Sequence, residues 1–386
     1  MTAQDSGFHF FAYQKNNPVR VDGPDWCRAI PMNREHRHGE SDFTYGDYFS
    51  AAVSFLKQNN GEVIRTALCR QLQKDISLDQ VREKNIILEK HGAFYHPSRL
   101  ELILPQGAVQ LVLNLAVSAS GKKIIAPEYA GLKRLWEDGI CRYTPAVYGK
   151  GTAVAGNGMV SMFLGEWFEG FHEFHLSEAP GGDRKIVVWD TASGNHFLSH
   201  QQAADVYRKA ASILTGCYNP LTFEQVFPWH HAAGDFIVHV EGDSIGLRLV
   251  TVRGYTPLNR VDGEITLQSI LETLLVFFLI LTIRMRIDRL DGVKELVWAD
   301  DFSVLETING FFEALSAMPE ERTDGIPLAE CFAYYLLAQD EQALVSAAEE
   351  VLGGYDAQAP EQDIIRKNLA SHIETIQNAL IHSRII

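Results

Sequence analysis

The sequence lacks the closely spaced cysteines of a zinc ribbon or a dithiol motif. Its five cysteines, Cys27, Cys69, Cys141, Cys217 and Cys331, lie far apart and no Cys-x-x-Cys occurs. An odd, scattered set suits a reducing compartment, and a cytoplasmic location is expected. Excess positive charge is also missing. The formal net charge is −15, which argues against nonspecific nucleic-acid binding, because that needs clustered Lys and Arg to neutralise phosphates. The first residues, MTAQDSGFHFF, show no basic segment followed by an apolar run, so no signal peptide is expected. Internal repeats and low-complexity tracts are absent too. The most apolar run, Leu274-Leu-Val-Phe-Phe-Leu-Ile-Leu-Thr-Ile283, is bounded by Glu272 and Arg284. It reaches only about half of the roughly 20 residues a bilayer crossing needs. A buried helix of a folded lobe is expected there, and no membrane partner.

What is present is ordinary globular composition, 46% hydrophobic and 22% charged over 386 residues, enough for more than one compact unit. Residues 1–45 read as an irregular arm, and 46–84 as helical with a break at Asn59-Asn60-Gly61. From Asn85 to Leu104 the pattern predicts two strands around a turn at His96-Pro97-Ser98, with a third strand over Val109–Val117 and a turn at Ser118–Gly121. A helix is expected over Ala126–Asp138, with Pro127 at its first position and Glu128 near its positive end. Strands at Tyr143–Tyr148 and Met159–Trp167 would flank a Gly-rich loop, Gly149–Gly158. Beyond Phe171 the pattern is mostly helical, interrupted by one hairpin over 236–252.

Three strands, a helix carrying Glu128, two strands, a short connection and a helical region with one hairpin make an order of parts that resembles the protein-kinase-like fold. The local words fit the aminoglycoside and choline phosphotransferase group within it. Pro127-Glu-Tyr-Ala-Gly-Leu-Lys-Arg-Leu-Trp136 followed by Thr144-Pro-Ala-Val-Tyr148 resembles that group's helix and following strand. Phe163-Leu-Gly-Glu-Trp-Phe-Glu-Gly170 resembles its hinge. Phe227-Pro-Trp-His-His-Ala-Ala-Gly-Asp-Phe-Ile-Val238 with Leu247-Arg-Leu-Val-Thr-Val-Arg-Gly254 resembles its catalytic loop, hairpin and metal segment. The likeness covers roughly residues 85–350 and implies an α+β, two-lobe fold. Its parts are an N-terminal arm and helical extension (1–84), a small β-rich lobe (85–170) and a helical lobe (171–386).

Phosphoryl transfer in such a fold needs a Lys on the phosphates, a helix Glu, an Asp base, and an Asn and a second Asp for Mg²⁺. The resemblance places Asn114 where the Lys belongs, Glu128 as the helix Glu, and Glu166 at the hinge. Asp235 takes the place of the metal-binding Asn, and His230 that of the base. Val252 and Arg253 fall in the second metal segment, where Arg253 would offset a phosphate or pair with Asp235 or Glu128. The expected roles are therefore catalytic for His230 and Asp235, cofactor contact for Asn114, Glu128, Glu166 and Arg253, and metal binding for Asp235, with ATP and Mg²⁺ as cofactors.

The missing charges point to a pseudokinase-like protein holding a nucleotide or other phosphorylated ligand in an interlobe cleft with little or no turnover. An active small-molecule phosphotransferase with rearranged groups, its phosphate clamped by Arg253 or Lys122, is a second reading. A scaffold that docks a protein partner through residues 1–84 is a third. His172 with His175, His36 with His38, and His230 with His231 are weaker candidates for a metal site. Arg284, Arg286 and Arg289 end the apolar helix and suit its C-terminal dipole, with Asp300 or Asp301 expected to pair with them or to cap the next helix.

Overall fold

The structure is a computed structural model. It describes residues 7–14, 17–31, 43–92, 94–156, 158–190, 193–232, 234–259, 263–318, 325–353 and 359–382. It is mixed α+β, 44% helix and 27% strand, and divides into two compact units. One comprises Met1–Trp136 with Pro145–Glu169, the other Glu137–Thr144 with Gly170–Ile386.

The first unit contains β1 (His9–Gln14), β2 (Asn17–Arg20), α1 (Tyr45–Leu56), α2 (Glu62–Leu72), β3 (Glu83–Leu88), β4 (His96–Leu104) and β5 (Gly107–Ala116). These are followed by α3 (Ala119–Glu137), β6 (Val147–Ala155) and β7 (Gly158–Glu166). Its strands form one seven-stranded sheet in the order β2-β1-β3-β4-β5-β7-β6. Only the β1–β3 pair is parallel. One sheet face, carrying Val109, Leu111, Leu113 and Leu115 of β5, joins Tyr48, Phe49, Ala52 and Phe55 of α1 in a single apolar core. The alternation of buried and half-buried residues along β4 and β5 is the period-2 pattern of strands packed on one side.

Four expectations in this unit are corrected. Residues 9–14 and 17–20 are strands rather than irregular arm; Phe10 and Ala12 alternate into the core over a stretch too short to stand out in a sequence rich in Asn and Pro. His96, Pro97 and Ser98 belong to β4, because Pro97 sits second in the strand and its carbonyl still accepts from the Glu89 N–H at 3.0 Å. Helix α3 starts seven residues early, where the Ser118 hydroxyl accepts the Gly121 N–H at 3.0 Å. Pro127 and Glu128 are therefore inside the helix, and the helix-start explanation of Glu128 falls. Finally, the Gly-rich span 149–158 is mostly strand. Cβ atoms at Gly149 and Gly151 would lie 2.8 Å from Val63 and 2.7 Å from Phe55, so these glycines admit α2 and α1 against β6. The helix break at Asn59–Gly61 stands as expected, all three residues having positive φ.

The second unit contains β8 (Phe174–Glu178), β9 (Arg184–Val188), β10 (His196–Phe197), α4 (His200–Gly216), β11 (Glu224–Val226), β12 (Phe236–Glu241), β13 (Ser244–Leu249) and β14 (Tyr255–Pro257). Then come α5 (Leu267–Arg284), β15 (Ile287–Arg289), β16 (Leu296–Trp298), α6 (Phe302–Ser316), α7 (Leu328–Leu337), α8 (Glu341–Gly353) and α9 (Glu361–His382). The β8–β9–β10 sheet and the β15–β16 pair were not expected. The β12–β13 hairpin was. Helix α5 is long and apolar enough to cross a bilayer, yet 72% of it is buried, and it packs against α6, α7 and α8. An all-round apolar helix enclosed by three others is a core helix.

Candidate functional site

The residues expected to handle phosphate fall into two sets, Asn114, Glu128 and Glu166 in the first unit and His230, Asp235, Val252 and Arg253 in the second. In the first unit Asn114 lies half-buried on β5, opposite Pro97 of β4 and Phe163 of β7. It occupies the face away from the apolar core. Phe163 shares that face, and its ring meets Tyr129 of α3 at 6.0 Å. Helix α3 thus covers the face that carries Asn114. Glu128 is buried on α3 and accepts a hydrogen bond from the Tyr95 hydroxyl. Tyr95 was not foreseen, since it precedes β4 and is 33 residues from Glu128. Glu166 closes β7: its carboxylate accepts the Ala146 N–H at 3.1 Å, and its own N–H donates to the Ala146 carbonyl at 2.8 Å. That double bond clips the approach to β6 onto the end of β7. Lys122 lies in the first half of α3.

In the second unit the loop before β12 is built around one carboxylate. Asp235 is 1% exposed. Arg253 grips it through both oxygens, Nη2 to Oδ1 at 2.5 Å and Nη1 to Oδ2. The His230 backbone N–H adds a third bond to Oδ2 at 2.9 Å. The Asp235 carbonyl accepts from the Val250 N–H at 2.8 Å, so the same residue ties the loop to the end of the β12–β13 hairpin. A fork-to-fork guanidinium–carboxylate pair is among the strongest polar contacts a protein makes. The Trp229 carbonyl beside it accepts two bonds from Arg284, at 3.0 and 2.8 Å. Arg284 therefore buttresses this loop from the end of α5.

His230 is half-buried. Burial, helped by Arg284 and Arg253, lowers its pKa to about 3. A general base works best with a pKa near the operating pH, so burial takes His230 out of the range expected of it. His231 is fully buried against Tyr207 and Phe174, and burial lowers its pKa too. Val252 is fully buried.

These residues do not fit Mg²⁺. Both oxygens of Asp235 are taken by Arg253, and the next expected ligand position is aliphatic. Among the described residues no three His, Cys, Asp or Glu side chains gather around a common point. His172 lies 3.8 Å from Asp190, and His175 lies 3.5 Å from Asp288, so the pair serves two carboxylates instead of one ion. His36 and His38 lie outside the described residues. Arg286 donates to the Ala299 carbonyl at 2.9 and 2.6 Å and to Asp301 at 2.7 Å, which settles the two options for Asp301 in favour of pairing. Asp301 makes no side-chain cap on α6.

The chain matches no protein-family model and no curated protein.

Proposed function

We propose that the protein is a degenerate, pseudokinase-like member of the phosphotransferase-like group that binds a nucleotide or other phosphorylated ligand and transfers phosphate little or not at all. The observation that carries this reading is the Arg253–Asp235 pair. The resemblance makes Asp235 the metal ligand, and in this chain a cation of the protein already holds both its oxygens. Displacing Arg253 with Mg²⁺ would pull apart a pair in which the Arg side chain is 19% and the Asp side chain 1% exposed, and separating such a pair costs several kcal/mol. Further support comes from Asn114, which carries no charge for a phosphate, and from His230, whose proton affinity is too low for a base at neutral pH. The order of parts supports the group assignment: β3, β4 and β5, then α3 with a buried Glu128, then β6 and β7, then a helical unit with the β12–β13 hairpin directly after Asp235.

The test is incubation with ATP, Mg²⁺ and a panel of small alcohols and amines. ADP release at the level of a protein-free blank is expected. Robust release that disappears in Asp235→Ala would overturn the proposal. The binding half is read from the melting temperature with millimolar ATP, with Mg²⁺ and with chelator. A ligand at ten times its Kd adds about 1.4 kcal/mol, and equal shifts in both buffers are expected. No shift with any nucleotide would remove ligand binding from the reading.

A further inference from the structure

Two of the scattered cysteines meet in the second unit. Cys141 lies in the short segment Glu137–Thr144 that this unit takes from between α3 and β6. Cys217 is the C-cap residue of α4. Both are free and buried, 4% and 0% exposed. Their thiols interact with one another, and the backbone of Tyr143 and Thr144 also acts on the Cys141 sulfur. Arg248 on β13 stands close by, its guanidinium 5.5 Å from the centre of the Tyr143 ring.

A cavity of about 310 Å³ opens at this point. Gly139, Cys141, Arg142 and Tyr143 form one wall, and Ser212 and Gly216 of α4 form another. Cys141 is thus buried against protein on one side and borders a hollow on the other, with Cys217 adjoining Gly216 in the opposite wall. The two sulfurs are also unequal. The interaction with Cys217, the backbone of Tyr143 and Thr144 and the Arg248 charge outweigh burial and lower the Cys141 pKa. The same interaction, with burial, raises that of Cys217. One thiol is set to give up its proton and its neighbour to keep one. A thiolate supported by amides and a cation is the state in which sulfur acts as a nucleophile.

We propose that Cys141 and Cys217 form a dithiol oxidation site whose substrate is a small hydroperoxide reaching Cys141 through this cavity. The Cys141 thiolate attacks one peroxide oxygen, the O–O bond breaks, and the leaving oxygen takes a proton to depart as water or an alcohol. Cys141 is then a sulfenic acid. The Cys217 sulfur attacks it, hydroxide leaves and combines with the Cys217 proton as water, and an S–S bond forms. In total the two thiols lose two electrons and two protons to the peroxide. The S–S bond so formed spans ~2.05 Å, and the two interacting side chains already lie on the same part of the second unit. A small-molecule thiol returns the pair to the reduced state by exchange. The site is independent of the Asp235 loop, so its failure leaves the phosphotransferase-like reading untouched.

The experiment exposes the reduced full chain, under native conditions, to a slight excess of hydrogen peroxide. Remaining thiols are alkylated after denaturation, and the peptides are mapped by mass. A Cys141–Cys217 cross-linked peptide is expected to form about tenfold faster than Cys27, which is exposed, is oxidised, because reactivity follows thiolate character. Cys217→Ser is expected to halt at a Cys141 sulfenic acid that a dimedone probe captures, and Cys141→Ser to leave Cys217 reduced. Should either variant fail to fold, the wild-type map decides alone. Cys141 and Cys217 both alkylated while Cys27 oxidises, a cross-link that appears only in denaturant, or Cys217 oxidising equally fast in Cys141→Ser would each overturn the proposal.

Discussion

Each unit buries one of the carboxylates on which the functional reading turns, and the two are satisfied in different ways. Glu128 accepts from the hydroxyl of Tyr95. Asp235 is held by a guanidinium and a backbone amide. Displacing a hydroxyl leaves no charge behind, whereas releasing Asp235 parts a carboxylate from a guanidinium. An acidic residue at a position the resemblance singles out does not by itself carry the expected role; the partner matters, and at Asp235 both oxygens already face a guanidinium.

The largest expected effect is acidification, which sharpens the contrast between units. Burial lowers the pKa of His96 in the first unit, and of His230 and His372 in the second, to about 3. Each is neutral when folded, while an unfolded histidine takes a proton near pH 6.5. The unfolded chain therefore binds more protons between about pH 6.5 and 3, and stability falls as pH drops through that window. A pKa unit is worth about 1.4 kcal/mol per group, so three groups together exceed any one substitution. Hydrogen exchange at pH 7 and pH 4.5 should show greater loss of protection in the second unit, which holds two of the three and also buries His231 with a lowered pKa. Uniform loss would break the contrast.

Next in size is Asp235→Ala. Removing one partner of a buried pair costs about 3–5 kcal/mol, and the partial exposure of Arg253 puts the expected loss near the lower end, read from the urea midpoint. Replacing both residues by apolar ones of similar size should recover most of it. Tyr95→Phe, the matching cut in the first unit, deletes only a hydroxyl and leaves Glu128 one donor short. A loss of about 1–3 kcal/mol is expected. If Tyr95→Phe cost as much as Asp235→Ala, the distinction between the two carboxylates would collapse.

These pairings also mark how far the sequence could be read. Its period-2 and period-3.6 patterns located β5, the β12–β13 hairpin and α5 to α9, because burial on one face, or on every face, is written locally. It misplaced the start of α3, since Ser118 and Gly121 carry equal weight as turn and as helix cap. It took Gly149 and Gly151 for loop residues, since the side chains they make room for belong to α2 and α1, far back in the chain. Within the candidate site the Arg253–Asp235 pair was among the options because the resemblance put Arg253 in the metal segment, with Glu128 as the other possible partner. Tyr95 on Glu128, Arg284 on the Trp229 carbonyl and Cys141 beside Cys217 were invisible. Nothing local distinguishes a partner that only the tertiary fold delivers.

The smallest expected effect tests whether the units differ in their local chemistry or only in what they bury. Helix α1 of the first unit starts at a capping box in which Thr44 accepts the Asp47 N–H at 3.1 Å. Helix α5 of the second starts the same way, Thr266 accepting the Ser269 N–H at 3.2 Å. Each hydroxyl satisfies one donor that the helix leaves unpaired. Thr44→Ala and Thr266→Ala are therefore each expected to cost about 1 kcal/mol and to agree within a few tenths by urea titration. Asp47 adds a carboxylate at the helix N-terminus where Ser269 adds only a hydroxyl, so any excess belongs to Thr44 and should shrink with added salt. A larger loss at Thr266 would mean that the cap holds the buried face of α5 in register, and the difference between the units would then begin at the helix ends.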